Sequence, residues 1–404
     1  MYARKKQDTE RQVPLKVVRN RAVQKTEAPP GQEHIFQTDE MIINMGPQHP
    51  STHGVMRFVL TLDGETVKHT ETVVGHLHRA QEWQGQNRTW FQYQALIDRV
   101  DYLSGMFTSW AMARAAEQVD QIEVPERAEY LRVIVSEMNR ITSHLLWLAT
   151  FAMDLGAFFG FPFYPFRERE KLLDLLEEIS GQRMMFNYIR IGGVLREPKA
   201  SWFQNLQKFT REFDSIVNDY EAILTDNPVF LGRTKGTGVL PRTLAIEYSV
   251  TGPNLRASGV NYDLRKCKPY SVYPKLQFLT PSTQKDASDN WDRYICRTRE
   301  LRQSNELIKQ AMDMLPPSGP LMIKKQNAGL RIKAGEGFAA VESPRGVLGC
   351  YIVSNGSEKA YRFKWRNPSF SNLSVLPEIV RDSLISDFIA TFGSLDVIAP
   401  DVDR

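Results

Sequence analysis

His49 and His53 stand four residues apart in the run Gly46-Pro47-Gln48-His49-Pro50-Ser51-Thr52-His53-Gly54. Imidazole is the side chain that exchanges protons near neutral pH. Pro47 and Pro50 remove backbone donors and fix φ, so the spacing of four is not helical here. Gly46 and Gly54 bracket the run where the chain is free to take left-handed or close-approach conformations. A stiff loop holding both rings at defined angles is expected, although a tight turn with two surface histidines fits the same letters. A metal site would need further ligands at better spacing.

A second set of proton-bearing groups follows. Asp98, Asp101 and Tyr102 are spaced i, i+3, i+4 within Asn87–Gln118, a proline-free stretch of helical composition, and are therefore expected on one helix face. From residues alone, Tyr102 reads as a boundary tyrosine with its ring buried and its hydroxyl paired. Glu137, Arg140 and His144 fall near one stripe of a later helix, flanked by Trp147 and Leu148. Such a stripe is either solvated or a buried, mutually paired set. In Gly75-His76-Leu77-His78-Arg79-Ala80-Gln81-Glu82, Arg79 and Glu82 are placed to pair at a helix start.

The elements that must carry these groups can be placed coarsely. Met41–Asn44 reads as a strand leading into the histidine loop, and Asp63-Gly64 between alternating runs signals a hairpin. Pro125-Glu126 opens a long helix to about Leu155. Further helices are expected to Gly181, over Ser201–Leu224, from Asp292 to Met314 and near Pro377–Gly393. Ala339–Phe363 reads as strand, turn at Ser354-Asn355-Gly356, strand. The fold class is α+β: a small N-terminal antiparallel sheet, a central helical bundle and a mixed C-terminal region. The expected divisions are a basic, extended arm (1–38), a β region with the histidine loop (39–84), the bundle (85–235) and the mixed region (236–404).

Composition narrows the function classes. The 404 residues are 42% hydrophobic and 24% charged, ordinary for a globular chain. The formal charge of +4 belongs to the arm, because residues 1–30 hold eight Lys/Arg against three Asp/Glu. The remainder is nearly neutral, with 43 basic and 44 acidic residues, so no broad basic surface for nucleic acid follows. Cys267, Cys296 and Cys350 are scattered, with no C-x-x-C, so no thiolate cage for zinc or an iron–sulfur cluster is expected. The apolar run Leu145–Phe166 contains Asp154, Gly156, Gly160, Pro162 and Pro165, and reads as a buried helix entering a loop rather than a membrane span. Neither a P-loop nor a dinucleotide-binding glycine pattern is present.

Taken together, GPQHPSTHGV, DRVDY, DLGA, FRERE, IRIGGV, LRASG-x-x-x-DLRK and the final DVDR resemble the 49-kDa-type subunit of respiratory complex I, a relative of the nickel–iron hydrogenase large subunit. The resemblance runs from about Met41 to Arg404. It implies a hydrogenase large-subunit-like fold and a quinone-site subunit of a proton-translocating NADH:quinone oxidoreductase, not active alone. His53 and Tyr102 would face the quinone headgroup, with Asp154 partnering the loop histidine. His49, Arg79, Asp98, Arg99 and Met106 would line the quinone pocket or face the cluster. Quinone is then the substrate, and this chain binds no metal or cluster of its own. The iron–sulfur cluster sits on an adjacent subunit. Implied partners are that cluster-bearing subunit, a 30-kDa-type subunit and a membrane-arm subunit at the quinone channel. The implied location is peripheral, on the cytoplasmic face of a bacterial inner membrane or the matrix side of the mitochondrial one. Departures from the pattern are Ala80, Trp83, Met185, Val347 and Ala360. A hydrogenase-like enzyme would need four paired thiolates, and none precedes Cys267. A non-catalytic scaffold of the same fold is the other reading.

Overall fold

The computed structural model describes residues 40–48, 54–156, 160–323, 327 and 329–404. The arm (1–38), His49 and His53 lie outside the described residues.

Strands β1 (Met41–Met45), β2 (Arg57–Asp63) and β3 (Thr66–Val73) form an antiparallel sheet in the order β1-β2-β3. The register runs from Met41 opposite Leu62 to Met45 opposite Phe58, and Asp63 meets Thr66 across the expected hairpin turn. Strict alternation in β2 buries Phe58, Leu60 and Leu62 on one face, the signature of a half-buried strand.

The expected helix over Asn87–Gln118 is not continuous. It divides into α1 (Gln81–Asn87), α2 (Trp90–Gln94), a 3-10 turn at Ile97–Arg99 and α3 (Gly105–Asp120). Two local devices cause the breaks. Thr89 restarts the chain with a capping box to Gln92. Asp101 Oδ1 then accepts from its own turn, from Leu103 N at 3.1 Å and Ser104 N at 3.3 Å, which competes with helical bonding. Asp98, Asp101 and Tyr102 consequently do not share a helix face.

The long helix α4 (Glu126–Asp154) forms as expected and is buried along most of its 29 residues. Among the described residues no helix is long and apolar enough to cross a membrane. α4 ends at Asp154, and α5 (Phe163–Ser180) begins beyond Pro162 and stops at Gly181, φ 84°. A two-residue pair, β4 (Ile189–Arg190) and β5 (Gly193–Val194), leads to α6 (Ala200–Leu224) and α7 (Pro228–Thr234). Strand β6 (Leu240–Pro241) pairs with β7 (Ala287–Ser288), enclosing the short helices α8 (Arg242–Glu247), α9 (Pro253–Ala257) and α10 (Leu264–Cys267). Helix α11 (Asn290–Asp313) packs along α4.

The C-terminal sheet has three strands, one more than expected: β8 (Gly335–Ser343), β9 (Gly346–Ser354) and β10 (Ala360–Arg366). Ser343 pairs with Gly346, so Pro344-Arg345 forms a tight turn that was not anticipated. The expected single helix near Pro377–Gly393 is two, α13 (Leu376–Ile379) and α14 (Ile385–Leu395), between α12 (Pro368–Ser374) and α15 (Ala399–Asp403).

Packing joins the N-terminal sheet to these last helices. Phe58 stacks edge-on against Phe388 (5.3 Å) and Phe392 (5.0 Å) of α14, within an apolar cluster distinct from the helical core around α3, α4, α6 and α11.

Candidate functional site

Five segments converge on the last twelve residues of the chain. The root of the histidine loop is one: a Cβ on Gly46 (φ +91°) would lie 1.9 Å from the Met56 carbonyl, and one on Gly54 would meet Ala399 of α15 at 3.2 Å. Asp154, at the end of α4, is a second. Its carboxylate oxygen lies where a Cβ on Gly393 would come within 2.5 Å, so a larger residue there would displace the Asp154 side chain. Trp147 Nε1 fixes the same contact by donating to the Gly393 carbonyl at 2.8 Å.

The segment 75–79 is the third. Gly75 N and Leu77 N donate to the Asp403 carboxylate at 2.7 and 2.8 Å, and His78 Nδ1 donates to the Asp403 carbonyl at 2.6 Å. Arg79, partly buried, donates to the Arg99 carbonyl. Burial, then neighbouring Arg99, lowers its pKa. The expected Arg79–Glu82 pair does not form. Glu82 instead accepts from Lys364 Nζ at 3.1 Å, Arg404 Nε at 3.3 Å and Trp365 N at 3.1 Å, because the β10 strand brings Lys364 and Trp365 to it and the chain end brings Arg404. Trp83 is 62% exposed.

The fourth segment carries Tyr102, and the fifth is the Pro344-Arg345 turn. Arg345 is fully buried and donates Nη1 to Asp101 Oδ2 at 2.8 Å and Nη2 to Ser143 Oγ at 3.2 Å and Asp396 Oδ1 at 3.5 Å. Asp396 sits in the left-handed region (φ 56°) at the C-terminal end of α14, a conformation that Asp tolerates better than most residues. Tyr102 lies within the field of Arg345, Asp101, Asp396 and Arg79. Burial pushes its hydroxyl above the ordinary tyrosine value, Arg345 pulls it back, and Asp101 and Asp396 add to the rise. Tyr93, Tyr188, Tyr220, Tyr270, Tyr273 and Tyr294 each commit the hydroxyl to a protein partner. The Tyr102 hydroxyl is partly buried, and among the described residues no such partner is recorded for it.

Other expected site residues lie elsewhere. Asp98 is buried with both oxygens engaged, by Ser109 Oγ and by Asn187 N at 2.7 Å. Burial raises its carboxyl to about 6, against those bonds. It braces the 185–190 loop instead of facing Tyr102. Met106 is 1% exposed in the helical core, and Arg99 turns back to the Ala95 carbonyl at 2.6 Å.

Residues that local reasoning missed hold the site in place. Behind it, Arg297 of α11 donates to the Ser394 carbonyl at 2.9 Å and to Asn254 Oδ1 at 2.9 Å, bracing the end of α14. His144 Nε2 meets Glu300 at 2.8 Å, and Arg256 bonds both Glu300 and Glu342 (2.7 Å). Glu137 is held by Arg140 (3.0 Å) and Arg265 (3.1 Å). The α4 stripe is thus buried and paired. Burial lowers His144 in spite of Glu300. Burial opposes charge on Glu300 as well, but Arg256, the His144 hydrogen bond and Arg140 together overcome it and hold the carboxyl well below the usual range. No group of three or more His, Cys, Asp or Glu among the described residues is arranged to hold a metal ion.

The arrangement is suited to donating a proton to a basic acceptor: a phenol whose hydroxyl meets no described partner lies in the field of a buried guanidinium that favours its anion. Comparison with known proteins bears on the acceptor. The family described as the 49-kDa subunit of the respiratory-chain NADH dehydrogenase matches residues 154–404. The chain is 41% identical over 369 residues to a subunit of the NADH-quinone oxidoreductase of Bacillus mycoides (strain KBAB4), covering 91% of this chain and all of that protein. The same NADH-quinone oxidoreductase component of Bacillus cereus (strain ZK / E33L) and of Bacillus anthracis matches with the same identity and coverage.

Proposed function

The chain belongs to the family of the 49-kDa subunit of the respiratory-chain NADH dehydrogenase, and from that premise we propose that it forms the quinone-reduction site of an NADH-quinone oxidoreductase. The observation that carries this reading is the Tyr102 hydroxyl, partly buried, without a hydrogen-bond partner among the described residues and within the field of Arg345. Quinone reduction consumes two electrons and two protons. Electrons arrive from an iron–sulfur cluster on the adjacent subunit. Tyr102 supplies a proton to a quinone oxygen that grows basic as electrons arrive, which suits a donor with a raised pKa. His53, next to Gly54, supplies the second proton, with Asp154 holding its ring. Arg79 and the exposed Trp83 lie on the side that meets the cluster-bearing subunit, and association with the membrane runs through partner subunits.

Tyr102→Phe removes one hydroxyl and leaves the packing. In the assembled complex it should slow quinone reduction by about a hundredfold, from roughly 2–4 kcal/mol of lost stabilisation. NADH oxidation by an artificial acceptor upstream of the site should be unchanged. Quinone reduction by this variant at the parental rate would refute the assignment.

A further inference from the structure

Partly buried arginines elsewhere in the chain meet carboxylates: Arg302 reaches Glu221 at 2.5 Å, and Arg233 reaches Asp387 at 3.1 Å. One group does not. Arg79, Arg88, Arg99 and Arg190 form no ion pair with a described residue. Backbone contacts tie them to one place. Arg79 donates to the Arg99 carbonyl, and Arg99 Nη1 donates to the Ala95 carbonyl at 2.6 Å. Ala95 lines a pocket of about 480 Å³ whose walls include Arg88, Phe91, Leu96, Asn187 and Arg190. Arg190 Nε donates to the Asn187 carbonyl at 3.3 Å on the same wall. The lining therefore holds two cations, an apolar side made by Phe91, Ala95 and Leu96, and no carboxylate. Asp98 bonds Asn187 as well, but its oxygens are spent on Ser109 Oγ and on Asn187 N at 2.7 Å. Arg190 is partly buried, and the charged neighbour it feels is Arg196, another cation. A guanidinium that gives up water without gaining an anion is unfavourable. An incoming carboxylate would relieve that cost.

We propose that this pocket receives an acidic side chain of the cluster-bearing subunit, held between Arg88 and Arg190, and that the arginine row faces an acidic surface on that subunit. The inference rests on the reading that the Arg79 side meets that subunit. The chemistry of the walls specifies the guest. A guanidinium matches a carboxylate through two parallel N–H···O bonds, so Arg88 and Arg190 select an Asp or Glu side chain over a neutral one. Phe91, 38% exposed, and Leu96 give its methylene stem an apolar wall. A small free anion would use the pocket alone. Arg79 and Arg99 carry the same charge beyond it, an extent that suits a protein surface. Opposed charge on two surfaces guides their encounter and fixes their register.

The test uses the assembled complex with photoreactive benzoylphenylalanine in place of Phe91, and separately in place of the exposed Trp83. Illumination followed by mass spectrometry identifies the peptide each probe reaches. The probe at 91 should reach a peptide of the cluster-bearing subunit that contains Asp or Glu. Arg88→Glu should then weaken association of the two subunits by at least about tenfold, and exchanging that acidic residue for Lys should restore it. An adduct at 91 on a peptide without an acidic residue, or on a different subunit, would overturn the proposal. So would Arg88→Glu associating as strongly as the parent. If the probe at 83 reaches the cluster-bearing subunit and the probe at 91 reaches nothing, the pocket assignment fails and the reading of this side stands. If neither probe reaches that subunit, both fail. Because the two probes leave every arginine in place, they decide the matter even where Arg88→Glu does not assemble.

Discussion

Arg345→Met tests the electrostatic frame of the site. The guanidinium is fully buried, bonds Asp101 at 2.8 Å and lies 3.5 Å from Asp396. Methionine retains much of the apolar stem but leaves Asp101 without its cation and Asp396 with only Arg297 at 3.9 Å. At an effective dielectric near 20, one opposite charge at about 4 Å is worth about 4 kcal/mol, and removing one partner of a buried pair typically costs about 3–5 kcal/mol. A loss of that size is expected at pH 8. It should shrink toward pH 5, because orphaned carboxylates recover by taking up protons, so the variant gains relative stability on acidification. Adding Asp101→Asn should recover part of the loss, since the two residues form one interaction. The assay is urea unfolding of the purified chain followed by tryptophan fluorescence at both pH values. A variant within about 1 kcal/mol of the parent at pH 8, or one that loses more at pH 5 than at pH 8, would refute the reasoning.

Gly46→Ala should destabilise by roughly 2–4 kcal/mol, because the added Cβ meets the Met56 carbonyl at 1.9 Å in a left-handed backbone. An unchanged melting curve would show that the loop root is looser than described. Asp98 is raised to about 6 from an ordinary 3.8, so the fold holds a proton between those values that the unfolded chain has released. The group's contribution therefore falls as pH rises through this window, by about 3 kcal/mol in all. Asp98→Asn should remove that component, measured as the parent–variant difference in unfolding free energy at pH 4 and pH 7; a pH-independent difference would contradict it.

Much of the framework was legible locally. The β2–β3 hairpin, the extent of α4 and α6, and the stop at Gly181 follow from alternation, helical spacing and terminating residues, which act within a few positions. The breaks in 87–118 were also written locally, in the Thr89 capping box and in Asp101 bonding its own turn, but propensity summed along the stretch hid them. The short Pro344-Arg345 turn likewise escaped a reading that ran β8 and β9 together as one strand from Ala339.

The site itself was only partly legible. Tyr102 and Asp154 stood out in the sequence by their neighbours in the chain, as did the glycine-bracketed run, whose His49 and His53 lie outside the described residues. Local spacing could not show that Arg345, Asp396 and Arg79 act on Tyr102, nor that His144 meets Glu300 across 156 positions. Charged residues on a helix look alike in sequence whether their face is solvated or pressed against guanidinium groups. Burial and the identity of the countercharge set their ionisation, and both exist only once α4, α11, α14 and the β8–β9 turn have packed together. Residue types alone say which groups are able to exchange protons. Packing assigns Arg345 to Asp101 and Asp396.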